Sequence, residues 1–452
     1  MPHSLRLAAI VLVTAPLAAA QPPPSPPRGA LAESVEVRTL EIGVRVENRN
    51  GEAIRRLDRD QFEVRLDRGH TRVQAVTEVV DEQLEDLLLV IVVDHRSLAA
   101  SDRDAALVEL DRELDTLFAR ARPTIAVASL DDTLEVVQPP TTDAARAKLA
   151  LQGQQGKVSR SGGRGLFTVE QSARTSLEEV LRELRGNRRD RVLAMASIES
   201  LIGEFRGYAQ ALHRETELEL QALRGFVRSL GVEPGRKAIV FVSAGLPLRP
   251  LGALMQTLQG SLSGGTTVSA DTVDPTPSGS ELMPSSPMIS TANDGGVMQR
   301  DVSHELMRLQ QTVDAFQSHD SLEALIAEAN TGRVSFYTVR PRPAQASTAQ
   351  SRDAGRGATL EISDEKALLA DLATGTAGWS RLGEGGLGGF LAALGNDFAH
   401  YYLLSIEPPV ASGERVTLDV RVKARGARTR APRALILPRR VDQRLEDRIL
   451  AA

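Results

Sequence analysis

The chain has 452 residues, 42% hydrophobic and 25% charged, with a formal net charge of -5 and no cysteine. That length suggests two or three domains with an ordinary globular core. Acidic and basic residues interleave without a basic stripe, which leaves nucleic acid out as a partner, and the lack of cysteine rules out disulfides and a lipid-modified Cys anchor.

Residues 1–20 read as a signal peptide. A short segment with one Arg precedes the apolar run Leu7–Ala20, which ends in the small residues Ala18-Ala19-Ala20. A bilayer-spanning helix needs roughly 20 apolar residues, and no later run is long enough, so no stable membrane anchor is expected after cleavage. The mature chain is expected to be exported, either periplasmic or secreted. Residues 21–34 form a proline-rich linker.

Residues 35–82 read as a small β module. Val35, Val37 and Thr39, then Ile42, Val44 and Val46, alternate with period two; Asn50-Gly51 marks a turn; Phe62, Val64 and Leu66 alternate again. The run Leu87–Val93, ending in Asp94, is apolar on both faces and predicts a buried parallel strand. Ser101-Asp102 is expected to cap a helix carrying Leu107, Leu110, Leu114, Leu117 and Phe118. The strand Thr124–Leu130 follows, and Thr133–Val137 pairs back on it. Strand, helix, strand is a βαβ unit, the building block of a parallel sheet covered by helices.

Residues 168–230 carry apolar residues at helical spacing and predict a helical insertion whose stripes pack on each other or on the sheet. Ala238–Val242 predicts another buried strand and Val334–Val339 a further one. Between them 260–297, and after them 341–358, are expected to be disordered loops rich in small and polar residues. Residues 401–437 supply C-terminal strands, among them the strictly alternating Val416–Val422, and 438–452 a terminal helix or tail.

Four segments carry a resemblance: NRNGEAIRRLDRDQFEVRLD, LLLVIVVD, ALRGFVRSLGVEPGRKAIVFVSAGLP, and FLAALGNDFAHYYLLSIEPP followed by GERVTLDVRV. In their order and spacing they resemble the von Willebrand factor A-related proteins of the acidobacterial type. The resemblance implies an α/β fold: a Rossmann-like domain over 83–400 with a mainly parallel central sheet, flanked by an antiparallel β module built from both ends of the chain. It also implies a metal-ion-dependent adhesion site of the pattern Asp-x-Ser-x-Ser, with a later Thr and Asp. Asp94 fits the first position, but Arg96 and Leu98 stand where the serines belong, and Ala244 stands where the late Asp belongs. Ser97 could contribute from a shifted loop, and Thr141 or Thr142 could serve as the loop threonine. A hard Mg²⁺ wants six oxygen ligands. The expectation is therefore a vestigial site at Asp94, Ser97 and Thr142 that binds Mg²⁺ weakly if at all, with no other cofactor.

Open α/β sheets gather ligands at the carboxyl ends of their parallel strands. A partner-contact surface for another protein is expected there, carried by Asp94, His95, Arg96 and Ser243. Enzyme chemistry finds little support. Gly162-Gly163-Arg164-Gly165 lacks the ending of a phosphate loop, and Ser243 in FVSAG lacks the first glycine of a hydrolase elbow. The seven histidines show no ligand spacing. The chain is expected to be a non-enzymatic interaction module or scaffold. The alternative is an extracytoplasmic hydrolase with a metal- or serine-based site that the sequence does not display.

Overall fold

The computed structural model describes residues 39–437, apart from 68, 82–83, 158–171, 174, 184–187, 247–250, 252–306, 312–313, 315, 317, 343–356, 384–385 and 408–412. The signal peptide, the proline-rich linker, the loop at 260–297, Gly162–Gly165 and the tail at 438–452 lie outside the described residues.

Branched and leucine side chains on consecutive positions need apolar cover on both faces of a strand. β5 (Leu87–Asp94) receives it as a central strand of a six-stranded sheet. β6 (Thr124–Leu130) and β8 (Arg236–Val242) flank it in parallel; β9 (Val334–Arg340) and the short β10 (Ser380–Leu382) extend the sheet on the β8 side. β7 (Leu134–Thr141) closes the other edge antiparallel to β6.

The two faces of β5 are sorted residue by residue. Leu89, Ile91 and Val93 pack with Leu107, Leu110 and Leu114 of α1 (Ala100–Phe118) and with Phe390, Leu391 and Leu394 of α6 (Phe390–Ala399). Val90 and Val92 face α3 (Arg188–Leu230), α4 (His319–Thr331) and α5 (Gly357–Gly375) through Leu223, Val227, Leu325 and Leu369. The body is thus a helix–sheet–helix sandwich. Each fully buried Leu or Val adds about 1.5–3 kcal/mol of apolar transfer energy. α2 (Ala144–Gln152) follows β7 and adds Ala147 and Leu151 to the α1 side.

Three local expectations change. α1 begins at Ala100 with Ala99 as its N-cap and no side-chain cap bond, so Ser101 and Asp102 sit inside its first turn. Gly357 and Ala358, placed in a loose loop by composition, open α5. The helical stripes expected over 168–230 include one helix of 43 residues. The stripe Ile198, Leu201, Ile202 and Phe205 packs against Leu177 and Val180 of the helical residues 175–183, while Leu220, Leu223 and Val227 pack on the sheet.

The chain ends build a second body. β1 (Leu40–Glu47) pairs antiparallel with β11 (His400–Ile406) and β13 (Arg428–Arg430), and β11 pairs with β4 (Val73–Val80). β12 (Arg415–Val422) joins β2 (Phe62–Leu66) and β14 (Ala434–Ile436), and β2 joins β3 (Gly69–Thr71). These two four-stranded sheets share one core of Ile42, Val44, Val46, Tyr402 and Leu404 against Val64, Leu66, Leu418 and Val420. The Tyr402 hydroxyl donates to the Ile54 carbonyl at 2.8 Å and accepts from the Leu57 amide at 3.3 Å, pinning the stretch between β1 and β2.

Because β11 is paired on both sides by N-terminal strands, the C-terminal strands cannot form their sheet alone. A chain truncated to begin at Leu84 is expected to aggregate, eluting in the void volume on size exclusion with strong binding of an apolar dye. A monomeric truncated chain with native-like circular dichroism would contradict the shared core.

Candidate functional site

At the carboxyl end of β5, Asp94 is fully buried. A buried carboxylate must find its hydrogen bonds within the chain, and Asp94 finds four donors. The amides of Arg96 and Ser97 donate to Oδ1 at 2.9 and 3.2 Å. The Ser243 hydroxyl donates to Oδ2 at 2.8 Å, and the Ser97 hydroxyl donates to the same oxygen. The two hydroxyl oxygens lie 3.0 Å apart. Each accepts an amide in turn: Ala244 N–H to Ser97 Oγ at 3.0 Å and Gly245 N–H to Ser243 Oγ at 2.9 Å. The loop after β5 and the loop after β8 are therefore sewn together through one carboxylate. Gly245 takes φ 95°, a left-handed conformation that turns its amide back on Ser243 and that L side chains rarely adopt.

Of the expected metal-site residues, Asp94 and Ser97 meet and Thr142 does not. β7 runs antiparallel, so its last residue, Thr141, pairs with Ile125, which lies beside Leu89 at the amino end of the sheet. That is five positions along the strand from Asp94, roughly 16 Å at the ~3.3 Å rise of a parallel strand. The third oxygen beside Asp94 is Ser243. Among the described residues no group of three or more His, Cys, Asp or Glu side chains is arranged to hold a metal ion. One carboxylate and two hydroxyls, already engaged with one another and with backbone amides, do not fit the oxygen shell that Mg²⁺ requires.

The expected partner-contact residues are at the rim, but under cover. Asp94 and Ser243 have no exposed surface and His95 is 3% exposed. The Arg96 guanidinium does not neutralise Asp94; it pairs with Glu215 of α3 and donates to the Asp131 carbonyl at 3.2 Å. His95 is turned the other way. Arg103 donates to its Nδ1 at 3.1 Å, which leaves the ring proton on Nε2, facing the Gln154 amide oxygen at 3.2 Å. Burial, and then the charge of Arg103, hold the imidazole pKa below its ordinary value. Neither ring nitrogen is turned to a serine, so His95 does not serve Ser97 or Ser243 as a general base.

α3 contributes residues that local motif reading passed over. Thr216 and Glu219 are fully or nearly fully buried, and the Thr216 hydroxyl and both Glu219 carboxylate oxygens have no hydrogen-bond partner. Desolvation drives the Glu219 pKa well above the ordinary carboxylate range, and the charge of Asp94 adds to the rise, with Arg96 opposing it. The signal is present in the sequence. Leu212, Thr216, Glu219, Leu223 and Val227 fall at helical spacing, so two polar residues interrupt an apolar stripe. Beside this covered centre lies a cavity of about 240 Å³ lined by His95, Ser129, Asp131, Asp132, Thr133, Glu135 and Lys157.

No family model and no curated protein matches the chain. Among solved structures it is similar to a von Willebrand factor type A protein from Catenulispora acidiphila. The two are 11% identical over 88% of this chain and 75% of that one, with a TM-score of 0.19, too loose a likeness to carry an argument.

Glu219 generates a pH prediction. Its raised folded pKa means that ionisation opposes folding: the penalty is absent below the unfolded carboxylate pKa, grows as pH rises towards the folded value, and is complete above it. Glu219→Gln is therefore expected to raise Tm in neutral or alkaline buffer, by about 2–4 °C for each kcal/mol relieved, and to do so much less in acid. Scanning calorimetry at both pH values checks this; a Gln variant less stable than the parent in alkaline buffer would contradict it.

Proposed function

We propose that the chain is an exported von Willebrand factor A-like interaction module or scaffold, non-enzymatic, whose adhesion-type metal site is degenerate and whose partner is a protein bound at the carboxyl rim of the sheet. Export rests on the apolar segment Leu7–Ala20 with its small-residue end. The family reading rests on the order of the four sequence segments and is in keeping with a largely parallel six-stranded sheet sandwiched by helices.

The observation that carries the proposal is the saturation of Asp94. Its four in-chain donors leave no lone pair directed at a cation, and Arg96 is tied to Glu215. A rim built this way contacts a partner through its surroundings, not through an ion. Those surroundings are acidic on balance: Asp132, exposed on the turn between β6 and β7, and Glu135, exposed at the start of β7, line the rim cavity with Asp131, against the one lysine, Lys157. A basic patch on the partner is the complementary surface, and such rim charges act mainly on association rate and specificity.

The charge-reversed Asp132→Lys/Glu135→Lys chain should fold as the parent does, since both side chains are exposed. Pull-down from an envelope extract of the native host, followed by mass spectrometry, is expected to show at least a tenfold loss of the parent's main partner at unchanged Tm. Equal capture by both chains would contradict a rim interface.

A further inference from the structure

The cavity of about 240 Å³ beside the covered rim centre is lined by groups of two kinds, a buried hydroxyl and exposed charges. The hydroxyl belongs to Ser129 on β6, which is 8% exposed. The backbone of Ser129 is paired on both sides, to Val93 of β5 and Glu135 of β7, so what it presents to the cavity is its side chain. Strand alternation agrees: Ile125 and Val127 point to the α1 face, where His95 meets Arg103, and Ser129 is next in that series. Among the described residues the Ser129 hydroxyl has no hydrogen-bond partner, and unlike the hydroxyl of Thr216 it is not sealed from solvent. A mostly buried oxygen that nothing in the chain engages is an acceptor waiting for a donor.

The charge around it is unequal. Asp132 and Glu135 are exposed, and neither has an ion-pair partner among the described residues. Asp131 stands with them, its carbonyl held by Arg96 at 3.2 Å. Against these three carboxylates stands one ammonium, that of Lys157, which donates to the Gln154 side-chain oxygen at 2.9 Å. His95 adds no charge, because burial and the neighbouring Arg103 hold its pKa below the ordinary value. The arginines that touch these residues are committed elsewhere, Arg96 to Glu215 and Arg103 to Asp104, and neither lines the cavity. A buried acceptor with carboxylates around it suits a cation at the end of a slender chain. An ammonium turns three donors freely, so one can meet the hydroxyl while the others meet carboxylates. A guanidinium is a flat fork that wants paired oxygens in one plane, and Ser129 offers a single one.

We propose that this cavity is a lysine pocket, taking one lysine side chain of the protein partner with its ammonium on the Ser129 hydroxyl and beside Asp132 and Glu135. The pocket rests on the rim interface argued above and adds the residue type that anchors it. Lys157, an ammonium in the same wall, opposes the incoming one.

Calorimetric titrations of the full chain with end-blocked trilysine, with triarginine and with trilysine acetylated on its side-chain amines test it at matched ionic strength. Trilysine should bind saturably and severalfold tighter than triarginine, and the acetylated peptide should not bind. Ser129→Ala removes the buried acceptor and should weaken trilysine severalfold. Lys157→Gln, an exposed change that removes the opposing charge, should strengthen it severalfold, so the test survives even if Ser129→Ala unfolds. Triarginine binding as tightly as trilysine, or a trilysine affinity that Lys157→Gln leaves unchanged, would overturn the pocket. The rim interface would outlive that failure if the charge-reversed chain still loses its partner. Equal capture by that chain, with trilysine binding as expected, would instead overturn the interface and leave the preference for lysine standing.

Discussion

A carboxylate sealed at the end of a buried strand has to be satisfied by its own chain, and that requirement at Asp94 organises the rim of this protein. Burial without partners would cost several kcal/mol or force protonation. The solution here recruits the Arg96 and Ser97 amides from the loop after β5 and the Ser243 hydroxyl from the end of β8. Because those strands are neighbours in the sheet, one side chain fixes the spacing of two loops. The same bonds use up the oxygen atoms that a cation would need. Structural order and metal affinity compete for one set of lone pairs, and in this chain the internal donors hold them.

α3 completes the arrangement. Its lower half is an ordinary apolar stripe on the sheet, with Leu220, Leu223 and Val227. One turn earlier it lays Glu215, Thr216 and Glu219 beside the rim. Glu215 takes the Arg96 charge, and Glu219 is left buried and unpaired. The helix therefore both stabilises the body and covers the centre of its carboxyl rim, which leaves Asp132 and Glu135 among the exposed groups there. At the far end of the sheet the charge is of the other sign: there a buried cation, Arg45, pairs with Asp397 while its Nε and Nη2 have no partner.

Much of this fold is legible in the sequence because its signals are local. The short, β-branched run LLLVIVVD reads as a strand covered on both faces and forms one, and the alternation in Val416–Val422 matches the half-buried strand it forms. Legibility fails where a residue's role depends on what arrives from elsewhere. Thr142 follows the right strand by count, yet the antiparallel turn of β7 carries it to the wrong end of the sheet. Arg96 stands next to Asp94 in sequence but finds its charge partner more than a hundred residues on, at Glu215. Arg45 occupies an outward position of β1, and only the packing of the sandwich against Asp397 and Phe398 buries it. Patterning speaks for the near face of an element; it is silent about a second body docking on the far one.

The central claim is that Asp94 is an internal hydrogen-bond hub, not an ion ligand, and equilibrium unfolding of the parent and Asp94→Ala chains, each with and without millimolar Mg²⁺, tests it directly. Loss of bonds to a buried charge should lower the stability of the variant by about 3 kcal/mol, with Mg²⁺ making no difference to either chain. A parent stabilised by Mg²⁺ as mass action on a folded-state site demands, with that gain absent from the variant, would contradict it.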